Sequence, residues 1–342
     1  MIASGNGKAR QITRQGLCEK DGHPSWSSSS LEKQRPMRIS IVIPTYNRAH
    51  CIGRALESVR AQGNLDPEVI IADDASTDET LQVVDRVMPS ARIVRLPFNR
   101  GAAAARNEAL KVVGGDLIAL LDSDDEWLPG KLERQMNYLQ NNPEISVCAS
   151  GHRLICRDGS EIDFPGRNPT DWRRALQSAQ SFHGASTPLI RREVLDKIGP
   201  LDDRLRVLED WDWMLRISGR FGVHVLPEML SVIHENNPSD PDQTLLSTEL
   251  FLQKHHSEFL DYGPRHAARV ISQHYENAAR NLFRHDRAGD GRRMLWKSVT
   301  TAPLRNPVSV VAFPLAGIDS VLGTKFLSGV LAWRNRRPLG NS

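Results

Sequence analysis

The chain has 342 residues, 39% apolar and 25% charged, enough for one large domain with an appendage or for two domains. Its net charge of +3 gives no overall basicity to point to nucleic acid. Four cysteines (Cys18, Cys51, Cys148 and Cys156) lack zinc-ligand or redox spacing and no secretory signal is evident, so they read as reduced thiols in a cytosolic protein.

Residues 1–36 read as a disordered extension, with Ser27-Ser28-Ser29-Ser30, scattered basic residues and no apolar run long enough for a signal peptide. Met37 stands directly before the first strand, and a start of translation there is the plainer alternative reading of the extension. Ile39 to Ile43 is a buried strand, ended by Pro44-Thr45-Tyr46-Asn47, after which Ile52, Ala55, Leu56 and Val59 fall at helical spacing. Val69 to Ala72 is a second strand, ended by Asp73-Asp74. Ser76 and Glu79 form a capping-box pattern before a helix with Leu81, Val84 and Val87. Ile93 to Leu96 is a third strand, Ala102 to Val113 an Ala-rich helix, and Leu117 to Leu121 a fourth strand. Pro129 marks the first turn of a helix whose buried face carries Leu132, Met136 and Leu139. The alternation predicts an α/β fold: a doubly wound, mostly parallel sheet with helices on both faces and right-handed crossovers.

The rhythm then changes. Ile145 to Ser150 is a further strand, and Arg157-Asp158-Gly159-Ser160 is a turn between extended segments. Pro165 to Ser186 is polar and loop-rich, as expected over an acceptor site. A helix over Arg191–Ile198 ends at Gly199, and Glu209 to Ser218 is a short helix. Past Asp240 the strand signals stop, and helices are predicted over 244–260, 265–285 and 287–300. The last two faintly resemble one tetratricopeptide-like pair; a single repeat is not stable alone, so it is expected to pack on the main domain. The expected organisation is thus 1–36 extension, 37–240 main domain, 241–303 helical appendage and 304–342 apolar and basic tail.

Four constellations could carry chemistry. Asp122-Ser123-Asp124-Asp125 follows a buried strand and gathers three carboxylates that repel one another, which calls for a counter-charge; a divalent cation is the usual one. In an open α/β sheet, ligands bind at the carboxyl ends of the strands. Asp73-Asp74-Ala75-Ser76-Thr77-Asp78 ends the second strand; Asp74 could accept from a nucleobase or ribose, while Ser76 and Asp78 equally suit helix capping. In Asn99-Arg100-Gly101 through Arg106-Asn107, Gly101 allows close backbone approach and Arg106 could reach a phosphate, or be a solvated arginine. In Leu208-Glu209-Asp210-Trp211-Asp212-Trp213, two acids beside tryptophans at a helix start suit a general base, with helix capping as the plainer role. His234, after the extended Leu230 to Ile233, could ligate metal or phosphate, although a lone histidine is more often structural.

Taken together in order, these motifs closely resemble the family 2 glycosyltransferases of the GT-A fold. The matching residues are Ile41-Val42-Ile43-Pro44-Thr45-Tyr46-Asn47-Arg48, then Asp73 to Asp78, Asn99-Arg100-Gly101 with Ala105-Arg106-Asn107, Asp122 to Asp125, and Glu209-Asp210, over roughly Arg38 to Asn237. The resemblance implies a nucleotide-diphosphate-sugar donor, a UDP-sugar favoured, and inversion at the sugar carbon. It implies nucleotide binding by Pro44, Thr45, Asn47, Asp74, Arg106, Asp122 and Ser123, and a Mg²⁺ or Mn²⁺ ion held by Asp124, Asp125 and His234. The family pattern is Asp-x-Asp, and this run has one acid more, so either Asp122 or Asp124 is the ribose ligand and either Asp124 or Asp125 the metal ligand. Asp210 corresponds to the catalytic base, and the acceptor would be a glycan or lipid-linked hydroxyl in cell-surface polysaccharide assembly.

Rival readings are a metal-dependent phosphotransferase, which Asp125-Glu126 after the Asp-x-Asp fits poorly; a receiver-like module, for which the chain is too long and Glu209-Asp210 unused; and a non-catalytic nucleotide or sugar binder. Val308 to Trp333 is largely apolar. Pro314, Asp319 and Lys325 argue against a span, whereas Leu315, Ile318, Leu322, Phe326 and Trp333 followed by Arg334, Arg336 and Arg337 suit an amphipathic helix, either on the cytoplasmic face of a membrane or over the main domain.

Overall fold

The computed structural model describes residues 37–177, 184–235 and 239–302. The N-terminal extension, the apolar and basic tail and part of the 165–186 loop expected from the sequence lie outside the described residues. In chain order the elements are β1 (Ile39–Thr45), α1 (Ile52–Arg60), β2 (Glu68–Asp73), α2 (Thr80–Val87), β3 (Arg92–Arg95), α3 (Ala102–Leu110), β4 (Leu117–Leu120), β5 (Glu126–Trp127) and α4 (Lys131–Asn141). There follow β6 (Ile145–Ile155), β7 (Glu161–Phe164), α5 (Trp172–Gln177), β8 (Leu189–Arg191), α6 (Arg192–Ile198), α7 (Glu209–Ser218), β9 (Gly222–His234), α8 (Pro241–Leu260), α9 (Pro264–Arg284) and α10 (Ala288–Thr301).

The sheet runs β3-β2-β1-β4-β8-β6-β9-β5, with β7 paired to β6. Its first half is the parallel sheet that the alternating pattern predicts, because each strand returns through a helix. Beyond β4 the sheet is mixed: β8 runs antiparallel to both β4 and β6, β9 parallel to β6, and β5 antiparallel to β9. β1 is buried along its whole length, and its alternate side chains feed opposite faces. Val42 packs with the Ala-rich face of α3, while Ile41 and Ile43 pack with Ile52 and Leu56 of α1 and Leu132 of α4. Small side chains at Ala103, Ala104, Ala105 and Ala109 let α3 lie close on the sheet.

Two local expectations change. Glu79 caps α2 only by its backbone, because the Ser76 hydroxyl instead accepts the Asn47 N–H at 3.0 Å while Asp78 accepts the Thr80 N–H at 3.0 Å. Gly130, at φ +79°, turns the chain after Pro129, so α4 starts at Lys131. β3 is exposed along most of its length, with Ile93 uncovered at the sheet edge.

The C-terminal helices share the core with the sheet. Phe251 and Phe259 of α8 and Val270 of α9 are fully buried in the same cluster as Trp213 and Leu215 of α7 and Ile118 of β4. Each such burial stabilises by roughly 1.5–3 kcal/mol. α9 and α10 close a smaller cluster of their own around Leu282, Phe283 and Leu295. Among the described residues no helix is long and apolar enough to cross a membrane.

An ionic cluster joins α8 to α7. Asp212, fully buried, meets Arg216 at 2.9 Å, Lys254 at 2.7 Å and His255 Nε2 at 2.8 Å, and His255 Nδ1 meets Glu258 at 2.9 Å. Burial works against the His255 charge, but the bonds to Asp212 and Glu258 outweigh it and raise its pKa above the ordinary 6.5. A raised histidine stabilises fully below the unfolded pKa and loses that contribution as pH rises through the folded one. Melting curves of wild type and His255→Gln should therefore differ most below about pH 6.5 and converge at alkaline pH.

Candidate active site

The register of the parallel strands gathers the sequence motifs at one edge of the sheet. Thr45 pairs with Asp73 and Val42 with Leu120, so Pro44-Thr45, Asp73-Asp74 and Asp122 all lie at the carboxyl ends of adjacent strands. Asp74 is buried, and its two oxygens accept the N–H groups of Arg100 and Gly101, each at 2.7 Å. Its carboxylate thereby fixes the turn into α3, where Gly101 adopts φ +89°, a region that side chains disfavour. Asn47 sits at φ +53°, which asparagine tolerates. Its side-chain oxygen accepts the Thr77 N–H at 2.8 Å, joining the loops after β1 and β2. The Thr45 hydroxyl is buried with no hydrogen-bond partner among the described residues.

Arg106 lies on the buried side of α3 rather than in solvent. Its guanidinium pairs with Asp122 at the end of β4 and, at 2.8 Å, with Glu209 at the start of α7. Burial opposes its charge, yet Asp122, Glu209 and Asp210 more than offset that and hold it firmly protonated. The arginine expected at a phosphate is thus engaged by carboxylates.

The acidic run divides in two. Asp122 and Asp124 remain near the opening, their side chains 31% and 13% exposed, paired with Arg106 and, at 3.5 Å, with Arg48. Arg54 donates to the Asp124 carbonyl at 2.6 Å and pairs with Glu126 at 3.0 Å. Asp125 turns inward: its oxygens accept the Ser186 hydroxyl at 2.6 Å and the His234 N–H at 3.1 Å. Burial, then repulsion from Asp122, pushes its pKa well above the usual carboxylate range. The His234 ring faces Glu126 at 2.7 Å, brought there by the pairing of β5 with β9. Ser123 is buried between the two halves.

Ser186 is a residue the motifs did not reveal. Its hydroxyl accepts the Asp122 N–H at 3.0 Å while donating to Asp125, and its carbonyl accepts the Trp127 indole N–H at 2.7 Å and the Ser231 hydroxyl at 3.1 Å. The only sequence signal is its place just before β8.

Among the described residues no three His, Cys, Asp or Glu side chains converge into a metal cage. Magnesium typically needs only one or two carboxylates plus substrate phosphates, and the more open pair Asp122 and Asp124 fits that donor set. Asp125 and His234 are committed to contacts within the protein.

Leu208 adopts φ +70° at the N-cap of α7, a strained conformation for a branched apolar residue. The turn starts the helix with Glu209 against Arg106 and leaves Asp210 beside them. Burial and Glu209 push Asp210 up to about 7, against the pull of Arg106. Arg106, Asp122, Glu209 and Asp210 therefore form one charged cluster, with Asp124 to Glu126 and His234 on the far side of the run.

Residues 40–199 match the family model described as glycosyl transferase family 2. An uncharacterized glycosyltransferase of Nostoc sp. is 34% identical over 178 residues, 48% of this chain and 54% of the relative. The Escherichia coli UDP-Glc:alpha-D-GlcNAc-diphosphoundecaprenol beta-1,3-glucosyltransferase WfgD is 38% identical over 118 residues, 34% of this chain and 46% of that protein. The chain spans about half the length of these curated relatives. The S. aureus TarS 1–349 structure in complex with UDP-GlcNAc superposes with a TM-score of 0.57 at 18% identity, over 89% of this chain and 93% of that one, and shares its fold. The ordered motifs gathered at one sheet edge lie largely within the matched segment, which runs from β1 to α6, so this part of the chain is similar to glycosyl transferase family 2.

Proposed function

We propose that this chain transfers a sugar from a nucleoside-diphosphate sugar to an acceptor hydroxyl, with inversion at the sugar C1. The observation that carries the reading is Asp210, a carboxylate with its pKa raised to about 7, beside an arginine that is tied to the acid at the end of β4. A base of that strength is half-deprotonated near neutrality, where general-base catalysis is most effective.

In this reading Thr45, its hydroxyl without a partner among the described residues, and the loops built by Asn47 and Asp74 wall the nucleoside pocket, with Pro44 and Ser123 beside them. Asp122 faces the ribose and diphosphate, oriented by Arg106. Asp210 takes the proton of the acceptor hydroxyl as that oxygen bonds to C1; the C1–O bond to the diphosphate breaks on the opposite face, and the nucleoside diphosphate leaves with the electron pair. Asp124, with Asp122, would hold Mg²⁺ or Mn²⁺, which when bound supplies positive charge to the diphosphate. Asp125 and His234 then shape the run from behind rather than ligate. A UDP-sugar donor is supported by the shared fold of the UDP-GlcNAc-bound TarS, and a lipid-linked acceptor by the likeness to WfgD, whose name gives a diphosphoundecaprenol-linked one.

Asp210→Asn should lower kcat by ~10²–10⁴-fold while UDP still binds in calorimetry; wild-type turnover would remove Asp210 from the role of base. In wild type, kcat should climb as pH rises through about 7, as Asp210 loses its proton. Asp124→Asn should raise the Mn²⁺ concentration that half-activates transfer. Ser186→Ala should instead lower the melting temperature, because it strands the buried Asp125 oxygen and the Asp122 N–H at a cost of about 1–3 kcal/mol each; an unchanged melt would show that Ser186 does not hold the run.

A further inference from the structure

The geometry points to α8, which lies outside the matched family segment, as a positioning element of the transfer site: it grips α7 from behind and fixes where Asp210 stands. This inference rests on the reading of Asp210 as the base.

α7 is held through two acids of its first turn, Glu209 and Asp212, which flank Asp210 in sequence. Successive helical residues are about 100° apart, so residues two apart face nearly opposite ways. Glu209 is held by Arg106 at 2.8 Å on the side of the acidic run. Asp212, two residues after Asp210, points away from the site into the α8 cluster, where Lys254, His255 and Arg216 surround it. Both ring nitrogens of His255 face carboxylate oxygens, Nε2 to Asp212 at 2.8 Å and Nδ1 to Glu258 at 2.9 Å. Carboxylates accept only, so both nitrogens must donate and the ring is an imidazolium. Arg173 of α5 holds Glu258 in turn at 3.1 Å, and Lys254 reaches Asp202 at 2.8 Å.

A second contact acts on the turn itself. The Ser247 hydroxyl, fully buried on α8, accepts the N–H groups of Arg206 at 3.1 Å and Val207 at 3.2 Å. These are the two residues before Leu208, whose φ of +70° starts α7. A strained residue persists only where its surroundings over-determine it, and Ser247 supplies that constraint on one side while the Asp212 cluster supplies it on the other. Helix α8 therefore sets both the entry and the rotation of the helix that carries Asp210.

The test compares Ser247→Ala and His255→Gln with wild type and Asp210→Asn, measuring kcat, donor KM, UDP affinity and amide exchange over 206–212. A displacement of catalytic groups by about 1 Å costs up to ~10²-fold. Both α8 variants are expected to lose about tenfold or more in kcat with donor KM and UDP affinity unchanged, and to exchange faster at 206–212. Wild-type kcat in both variants, or a parallel loss of kcat and UDP affinity as in general destabilisation, overturns the positioning role. Full turnover in Asp210→Asn overturns the base instead; α8 is then judged on the exchange at 206–212 and the kcat of its own two variants, unchanged exchange or unchanged kcat refuting it.

Discussion

A guanidinium taken out of water must be met by carboxylates, and Arg106 meets two that come from distant parts of the chain. Asp122 ends a strand of the parallel sheet, while Glu209 begins a helix 103 residues after Arg106. The bridge ties the sheet edge to α7, and every other feature of the site is placed relative to it. Removing one member of a buried ionic set leaves the others uncompensated, a far larger loss than the net strength of the set. The same bridge sets the electrostatics beside it: Asp210 sits between the repulsion of Glu209 and the attraction of Arg106.

The acidic run shows how a crowded set of carboxylates is kept in a folded protein. Repulsion predicts counter-charge, and the protein provides part of it itself. Arg106 faces Asp122, Arg48 faces Asp124, Arg54 faces Glu126, and the buried Asp125 is driven towards its neutral form. Arg48 and Arg54 are partly exposed, whereas Arg106 and Asp125 are buried. The run is therefore graded from a charged, partly exposed rim to a buried floor at Asp125.

Much of this was legible in the residues. Strand runs such as Ile39 to Ile43 and Leu117 to Leu121 are apolar because they are buried on both faces, and the helices between them carry their apolar residues at helical spacing. The motif residues were legible because they sit at strand ends, where register brings them together. The turn read at Arg157 to Ser160 does join β6 to the antiparallel β7, whereas the two-residue β5 and the length of β9 were not legible, since a short or half-exposed strand leaves no periodicity to read. Ser186 was invisible for a different reason. A serine that joins Asp122 to Asp125 has no local pattern, because its partners lie more than sixty residues away. The inward turn of Asp125 and the engagement of Arg106 by Glu209 likewise depend on long-range geometry that spacing alone does not encode.

The two backbone N–H groups that Asp74 holds have a consequence for recognition. Ordering a loop residue costs roughly 1–2 kcal/mol of conformational entropy, and the turn at Arg100 and Gly101 is already ordered when the chain folds. A ligand arriving at that wall meets a rigid surface and loses little of its binding free energy to immobilising it. Rigidity of this kind favours a ligand whose shape matches the pocket over one that would need the loop to adjust, so Asp74 can govern selectivity through the stiffness of the turn without touching the ligand at all.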